Sequence, residues 1–350
     1  MSRFAYLVRR LIYVIPTFIG ITLVCFSLTR FLPGGPVEIR LMRMKGLAAQ
    51  GEAGGAAAAA NAAHVSEECR KTLEEQFGFN KPIWQQYWNW LVTNRMGLKL
   101  SSYDYPNKTA WQLIKSRIPV SLWFGIASAI LTYLVCIPLG IAKALAHRQK
   151  FDAFSSAAVF IAYAIPPFAL AMILKTLLCG TVDGFPDVFP LGGISSDFDT
   201  PPSFWEFVAD RAWHMAMPVA CYVAGSFAML TLMMKNSLLD QISADYVRTV
   251  IAKGATRRRA IWCHAFRNAL IPIATGLGSM LGLFFAGSII IETVFEIPGM
   301  GRLSWDALIG RDYAVFLALL ALTASFQLIG NLISDMLYMI IDPRIDFSGR

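Results

Sequence analysis

Charge is scarce in this chain. Of its 350 residues only 15% are Asp, Glu, Lys or Arg, while 56% are hydrophobic. A soluble domain of this length carries about 25% charged residues, so the deficit argues for a membrane protein. The net charge of +8 does not indicate nucleic acid, because the cations collect beside apolar runs, as orientation signals do. Cysteine is sparse, and the six present have no metal-site spacing. Cys25, Cys136 and Cys221 lie in apolar stretches, Cys179 ends one, Cys263 sits in a basic segment and Cys69 stands alone in a polar one. Apolar packing is the default for most of them; a Cys69–Cys179 disulfide is conceivable, with nothing further to support it. His64, His147, His214 and His264 are scattered, so no metal site is expected. The chain has no GxxxxGK[ST] phosphate loop, no HExxH and no Gly-x-Ser-x-Gly, which excludes ATP binding by the first of these routes.

What the chain does have is long apolar runs: Leu11–Phe31, Ile118–Ala144, Ala153–Cys179, Trp213–Met234, Ala269–Ile291 and Ala314–Ile341. A membrane helix needs about 20 mostly apolar residues, so the expected fold is all-α and polytopic, with about six transmembrane helices. The first run follows Arg3, Arg9 and Arg10 but is too long for an ordinary signal-peptide core, and no small-x-small site follows it; an uncleaved span is expected.

Short loops set the orientation. Arg3, Arg9, Arg10, Lys143, Arg148, Lys150, Lys235, Arg248, Lys253, Arg257–Arg259, Arg267, Arg344 and Arg350 fall on one side, and the opposite loops are richer in Asp and Glu. The basic side is expected to be cytoplasmic, with both termini inside. The expected organisation is an N-terminal helix (1–33), a long periplasmic segment (34–117), a permease-like core (118–341) carrying a cytoplasmic loop (235–268), and a short tail (342–350). Within the outer segment Leu47–Ala63 is an Ala/Gly-rich insert and Glu67–Phe77 has helical spacing. Trp84, Tyr87, Trp88 and Trp90 suit either the membrane–water interface or packing in a small external domain.

The strongest positive signal is the basic loop. Asp245–Ala252 can form one helix and Thr256–Phe266 another, with Gly254 permitting the bend. Val247, Val250 and Ile251 share a helical face, with Arg248, Lys253 and Arg257–Arg259 around it. An apolar ridge ringed by cations suits a partner groove with an acidic rim; the plainer reading is orientation or contact with anionic lipid. A second signal is the recurrence of Thr323, Gln327, Asn331 and Asp335 at every fourth position of the last run. Steps of four drift by about 40° each, so these residues form a slowly winding polar stripe that either lines a pathway or hydrogen-bonds within the bundle, with Asp335 near enough to the cytoplasmic end to meet an arginine. Gly278 and Gly282 have GxxxG spacing, which suits close helix packing or, more sharply, contact with a second subunit. Lys175 is expected to snorkel.

The loop resembles the coupling (EAA) loop of ABC-importer permeases, in the form found in the dipeptide, oligopeptide and nickel branch. Tyr246-Val247-Arg248-Thr249-Val250-Ile251-Ala252-Lys253-Gly254, then His264-Ala265-Phe266-Arg267-Asn268-Ala269-Leu270-Ile271-Pro272, follow that pattern, with Val250 for the usual alanine and Arg248 where the general pattern has an acid. Tyr6–Arg10 with Pro16-Thr17, Leu32–Pro36, Ile118–Ser121, Ile291–Phe295, Ile297–Arg302, Arg311–Tyr313 and Asp342–Arg344 extend the likeness along the chain. Tyr163–Pro166 and Asp342–Arg350 are similar to the microcin C and peptide uptake permeases.

The resemblance implies a bacterial inner-membrane subunit without catalysis of its own, carrying peptides or peptide-like solutes. It implies a second permease, usually a different chain, two ATPase domains or subunits and a periplasmic binding protein. ATP and Mg would stay in the partner ATPases, with no cofactor in this chain and no nucleic acid among its partners. The coupling residues would be Tyr246, Val247, Arg248, Lys253, Gly254, Ala255, Thr256, Arg257, Arg258, His264, Arg267 and Asn268. Nickel or another small solute is the alternative within the family, and a self-sufficient secondary transporter or channel the alternative outside it.

Overall fold

The computed structural model describes residues 3–31 and 81–341, apart from positions 106, 183, 199 and 200. The Ala/Gly-rich insert, the Glu67–Phe77 helix, Cys69, the Leu32–Pro36 motif and the tail from Asp342 lie outside the described residues. Every regular element is helical: α1 (Arg3–Phe31), α2 (Ile83–Trp88), α3 (Ala110–Leu145), α4 (Lys150–Ala164), α5 (Pro167–Leu178), α6 (Phe204–Ser243), α7 (Asp245–Ala252), α8 (Arg257–Ala260), α9 (Phe266–Ala269), α10 (Ile271–Ala286), α11 (Ile289–Val294), α12 (Met300–Ile309) and α13 (Tyr313–Ile341). π-helical turns follow α2 (Asn89–Thr93) and α8 (Ile261–Ala265).

Four described helices are long and apolar enough to cross a membrane, within Val8–Arg30, Ala110–Leu145, Phe204–Ser243 and Tyr313–Met339. The other two expected spans are interrupted. Ala153–Cys179 is divided between α4 and α5, bent by 90°, because Pro166 disfavours helical backbone at Ile165 (ψ 118°). Ala269–Ile291 is divided among the last residue of α9, the 16 residues of α10 and the first residues of α11. At 1.5 Å per residue α10 by itself reaches about 24 Å, against a hydrocarbon core of about 30 Å. Gly287 then turns left-handed (φ +68°) and the chain restarts as α11. The fourth span begins earlier than the hydropathy suggests, since Ser203 and Glu206 form a capping box at the start of α6.

The chain divides into two compact units. The smaller takes in Ile15–Ser116 and Ser304–Ala324. Its core joins Phe26, Tyr87, Trp90, Leu317 and Ala321. The aromatic cluster is therefore split by helical spacing: Tyr87 and Trp90 are core, whereas Trp84 and Trp88 are exposed. Asp312 closes this unit. Its Oδ2 accepts from Ser102 Oγ (2.5 Å) and Tyr103 N (3.1 Å), and its Oδ1 from Val315 N (3.3 Å), capping α13.

The larger unit takes in Arg117–Leu303 and the two ends of the chain. One core cluster gathers Phe124, Met215, Cys221, Ile291 and Phe295; another gathers Ile141, Met234, Leu238, Val247, Ala260 and Ile273. Glu292 is fully buried and caps α12. Its Oε2 accepts from Arg302 N (2.7 Å) and its Oε1 from Ser288 N (3.1 Å). Ser121 Oγ accepts from Met300 N (2.7 Å) beside it. Burial pushes the Glu292 carboxyl above its ordinary value, and the N–H groups of Arg302, Ser288 and Gly301 pull against that rise. A Cβ at Gly278 would overlap the backbone of Gly330 and Ser334, so this glycine serves close packing of α10 on α13 within the chain. Lys175 donates to the Val294 carbonyl (2.7 Å) and lies 3.8 Å from Glu296. Cys179 is buried and donates through Sγ to the Pro190 carbonyl (3.5 Å).

Candidate coupling surface

The basic loop folds as a short amphipathic helix and a second, π-widened helix joined by a left-handed glycine. Asp245 lies in the first turn of α7, where an acid complements the helix dipole. Gly254 has φ +93°, a conformation that a side chain would strain. Its N–H donates to the Ile251 carbonyl (2.9 Å) and that of Ala255 to Val250 (3.3 Å). Thr256 Oγ1 accepts from Arg259 N (3.3 Å) and so starts α8.

The apolar ridge does not point where the sequence placed it. Val247 is 2% exposed, packed in the core with Ile141, Met234, Leu238 and Ala260, and Val250 packs against the same cluster. Only Ile251 remains outward, at 40% exposure. The chain's own core uses most of this face, because the Val247 and Val250 side chains cost more in water than against that core. What α7 and α8 present outward is charge: Arg248, Lys253, Arg257, Arg258 and Arg259 are exposed, as are Gly254 and Thr256, while Ala255 is half-buried. His264, Arg267, Cys263 and Trp262 continue the exposed strip. Trp262 packs at a tilt against Phe266, with ring centroids 5.5 Å apart; its position beside the arginines, one turn before Phe266, was a signal that could have been read.

Tyr246 and Asn268 play a different part. The Tyr246 hydroxyl donates to Gln241 Oε1 (2.7 Å) and accepts from Asn268 Nδ2 (3.1 Å). Both residues are half-buried, and together they tie the end of α6 to α7 and α9. Ser237 Oγ adds a bond to the Ala269 carbonyl (2.9 Å). The loop is thus fixed from behind and charged in front. No group of three or more His, Cys, Asp or Glu side chains that could hold a metal ion occurs among the described residues.

A second polar centre escaped sequence reading. Asp152 on α4 lies 2.7 Å (Oδ1) and 2.8 Å (Oδ2) from Lys235 Nζ on α6. Lys143 Nζ on α3 is fully buried 3.5 Å from the same carboxylate and donates to Ser155 Oγ (2.9 Å) and Ser156 Oγ (2.7 Å). No short-range spacing marks the trio, because its members come from three helices.

The polar stripe of α13 is divided. Gln327 Nε2 donates to Asn331 Oδ1 (3.1 Å), and Asp335 pairs with Arg10 Nε of α1 (3.2 Å). Thr323 and Gln327 are half-buried and Asn331 is exposed.

The described residues thus form a helical chain with membrane-spanning helices and a cationic loop fixed against its own core. Residues 136–347 match the family described as "Binding-protein-dependent transport system inner membrane component". The chain is 36% identical to the inner membrane ABC transporter permease protein YejB of Escherichia coli O157:H7, over 99% of this chain and 100% of that one. It is 34% identical to the peptidoglycan transport system permease protein YejB of Agrobacterium fabrum, over 99% of each. Identity to the oligopeptide transport system permease protein AppB of Bacillus subtilis is 32%, over 98% of this chain and 99% of the relative. The chain belongs to the inner membrane components of binding-protein-dependent transport systems. It is a multi-pass permease subunit of an ABC importer, a transport component and not an enzyme, and it works with ATPases and a substrate-binding protein.

Proposed function

We propose that the chain forms half of a peptide-translocating pathway and receives the force of ATP hydrolysis through Arg248, Lys253, Arg257 and Arg258. The peptide reading is supported by the relatives named for oligopeptide and peptidoglycan transport. The observation that carries the coupling role is the two-sided loop: Val247 and the Tyr246–Gln241 bond hold it on α6, leaving Lys253, Arg257 and Arg258, with Arg248 beside Asp245, exposed to meet an acidic-rimmed groove. The loop is then cytoplasmic, both termini lie inside, and residues 34–117 face the periplasm. ATP and Mg stay in two partner ATPases, and the second permease is a different chain. Of the stripe, Gln327 and Asn331 are offered to the pathway, and Asp335 fixes α1 to α13.

Charge reversal tests the coupling assignment. Arg257→Glu with Arg258→Glu should insert at wild-type abundance but lose ATP-driven uptake while the ATPases continue to hydrolyse ATP. Undiminished uptake by that variant removes the assignment.

A further inference from the structure

We propose that the cavity between α3, α6 and α10 is a subsite for an apolar side chain of the transported peptide; this rests on the peptide reading above. The cavity measures about 230 Å³ and is lined from α3 by Phe124, Ser128 and Thr132, from α6 by Tyr222 and Met229, and from α10 by Met280, among others. Ligand sites for whole drug-sized molecules measure about 300–1,000 Å³, so this one suits a side chain and not an entire solute. None of its lining residues is charged, which makes it a poor place for a peptide's termini and a good one for an aliphatic or aromatic group. Phe124 and Tyr222 meet edge to face, with centroids 5.3 Å apart, and form a fixed wall. Met229, 71% exposed at the rim, and Met280 supply unbranched thioethers that adapt to different shapes, as a carrier of varied peptides requires.

Ser128 separates a peptide from a lipid tail as the occupant. It is 1% exposed, and its hydroxyl has no hydrogen-bond partner. Leaving such a group unmatched is costly, and most of all in a membrane. An acyl chain cannot satisfy it, whereas the main-chain amide next to an inserted side chain can. The subsite therefore reads one apolar side chain and one peptide group, which gives breadth of sequence with a requirement for a peptide backbone.

The test uses the complete importer in proteoliposomes, with Ala-(photo-leucine)-Ala, a tripeptide carrying a diazirine side chain, as the probe. ATP-dependent uptake of the probe reports on the peptide reading by itself; without uptake of any peptide, that reading falls and this one with it. Given uptake, illumination during turnover should place adducts within residues 124–132 or 222–233, and excess trileucine should suppress them more than triglycine does. Adducts confined to other segments or to the second permease overturn the subsite, as does labelling of these residues by a diazirine-bearing phospholipid that peptide does not displace. The rim variant Met229→Trp gives a second reading. The ratio of trileucine to triglycine uptake should fall about tenfold, the scale on which a hydrophobic pocket discriminates by size. An unchanged ratio, with the variant inserted at wild-type abundance, contradicts the proposal.

Discussion

The Asp152 carboxylate holds Lys235 through both oxygens, at 2.7 and 2.8 Å, and thereby fastens α4 to α6. The same carboxylate neutralises the fully buried Lys143 of α3, so one anion serves two cations on two other helices. Lys235 lies ten residues before Asp245 of the basic loop on the continuous α6 helix. Any displacement of the loop that moves α6 must carry this junction or break it.

Removing the anion leaves the buried Lys143 ammonium and the half-buried Lys235 ammonium without their carboxylate. Breaking a buried charge pair on one side costs about 3–5 kcal/mol, so Asp152→Ala should markedly lower the melting temperature of the purified subunit. Adding Lys143→Met should recover part of the loss, since it withdraws one uncompensated charge. Thermal unfolding in detergent checks both, and equal melting of the single and double variants would show that Lys143 does not depend on Asp152.

Glu292 predicts a different kind of loss. Its carboxylate accepts the N–H groups of Arg302 and Ser288 in a site without exposure. Glu292→Ala orphans those donors at the starts of α11 and α12, at about 1–3 kcal/mol for each buried group left unmatched. Protease cleavage should then rise first around residues 287–302, before global unfolding. A cleavage pattern identical to wild type at reduced melting temperature would contradict this local effect.

Cys263 reports which way the loop faces. It is exposed, whereas Cys136, Cys179 and Cys221 are buried and Cys25 is half-buried. In a Cys69→Ser background, a membrane-impermeant maleimide should label Cys263 in inside-out vesicles and leave it unlabelled in intact cells. The opposite pattern would place the basic loop outside and remove it from any contact with ATPases.

The long helices were legible in the sequence because their signal is cumulative: apolar runs such as Leu11–Phe31 and Ala314–Ile341 agree with α1 and α13 to within a few residues or one turn at most ends. The interrupted spans were not, because hydropathy continues smoothly across Pro166 and Gly287 while the backbone does not. Helical periodicity put Val247, Val250 and Ile251 on one face, but periodicity alone does not say which of them meets the chain's own core: Val247 and Val250 do, and Ile251 stays outward. The Tyr246 and Asn268 positions stood out in the loop motif, yet the reason, a hydrogen bond across 22 residues, needs three dimensions. The Lys143–Asp152–Lys235 junction left no trace at all, since charged residues near helix ends ordinarily read as orientation signals.

Reconstitution addresses energy coupling directly. The purified chain should be placed in proteoliposomes first alone, then with its partner permease, ATPases and binding protein, and peptide uptake followed with and without ATP. Uptake should be absent for the chain alone and appear only for the full set with ATP. Accumulation by the isolated chain, or by the full set at the same rate without ATP, would contradict a permease driven through its basic loop.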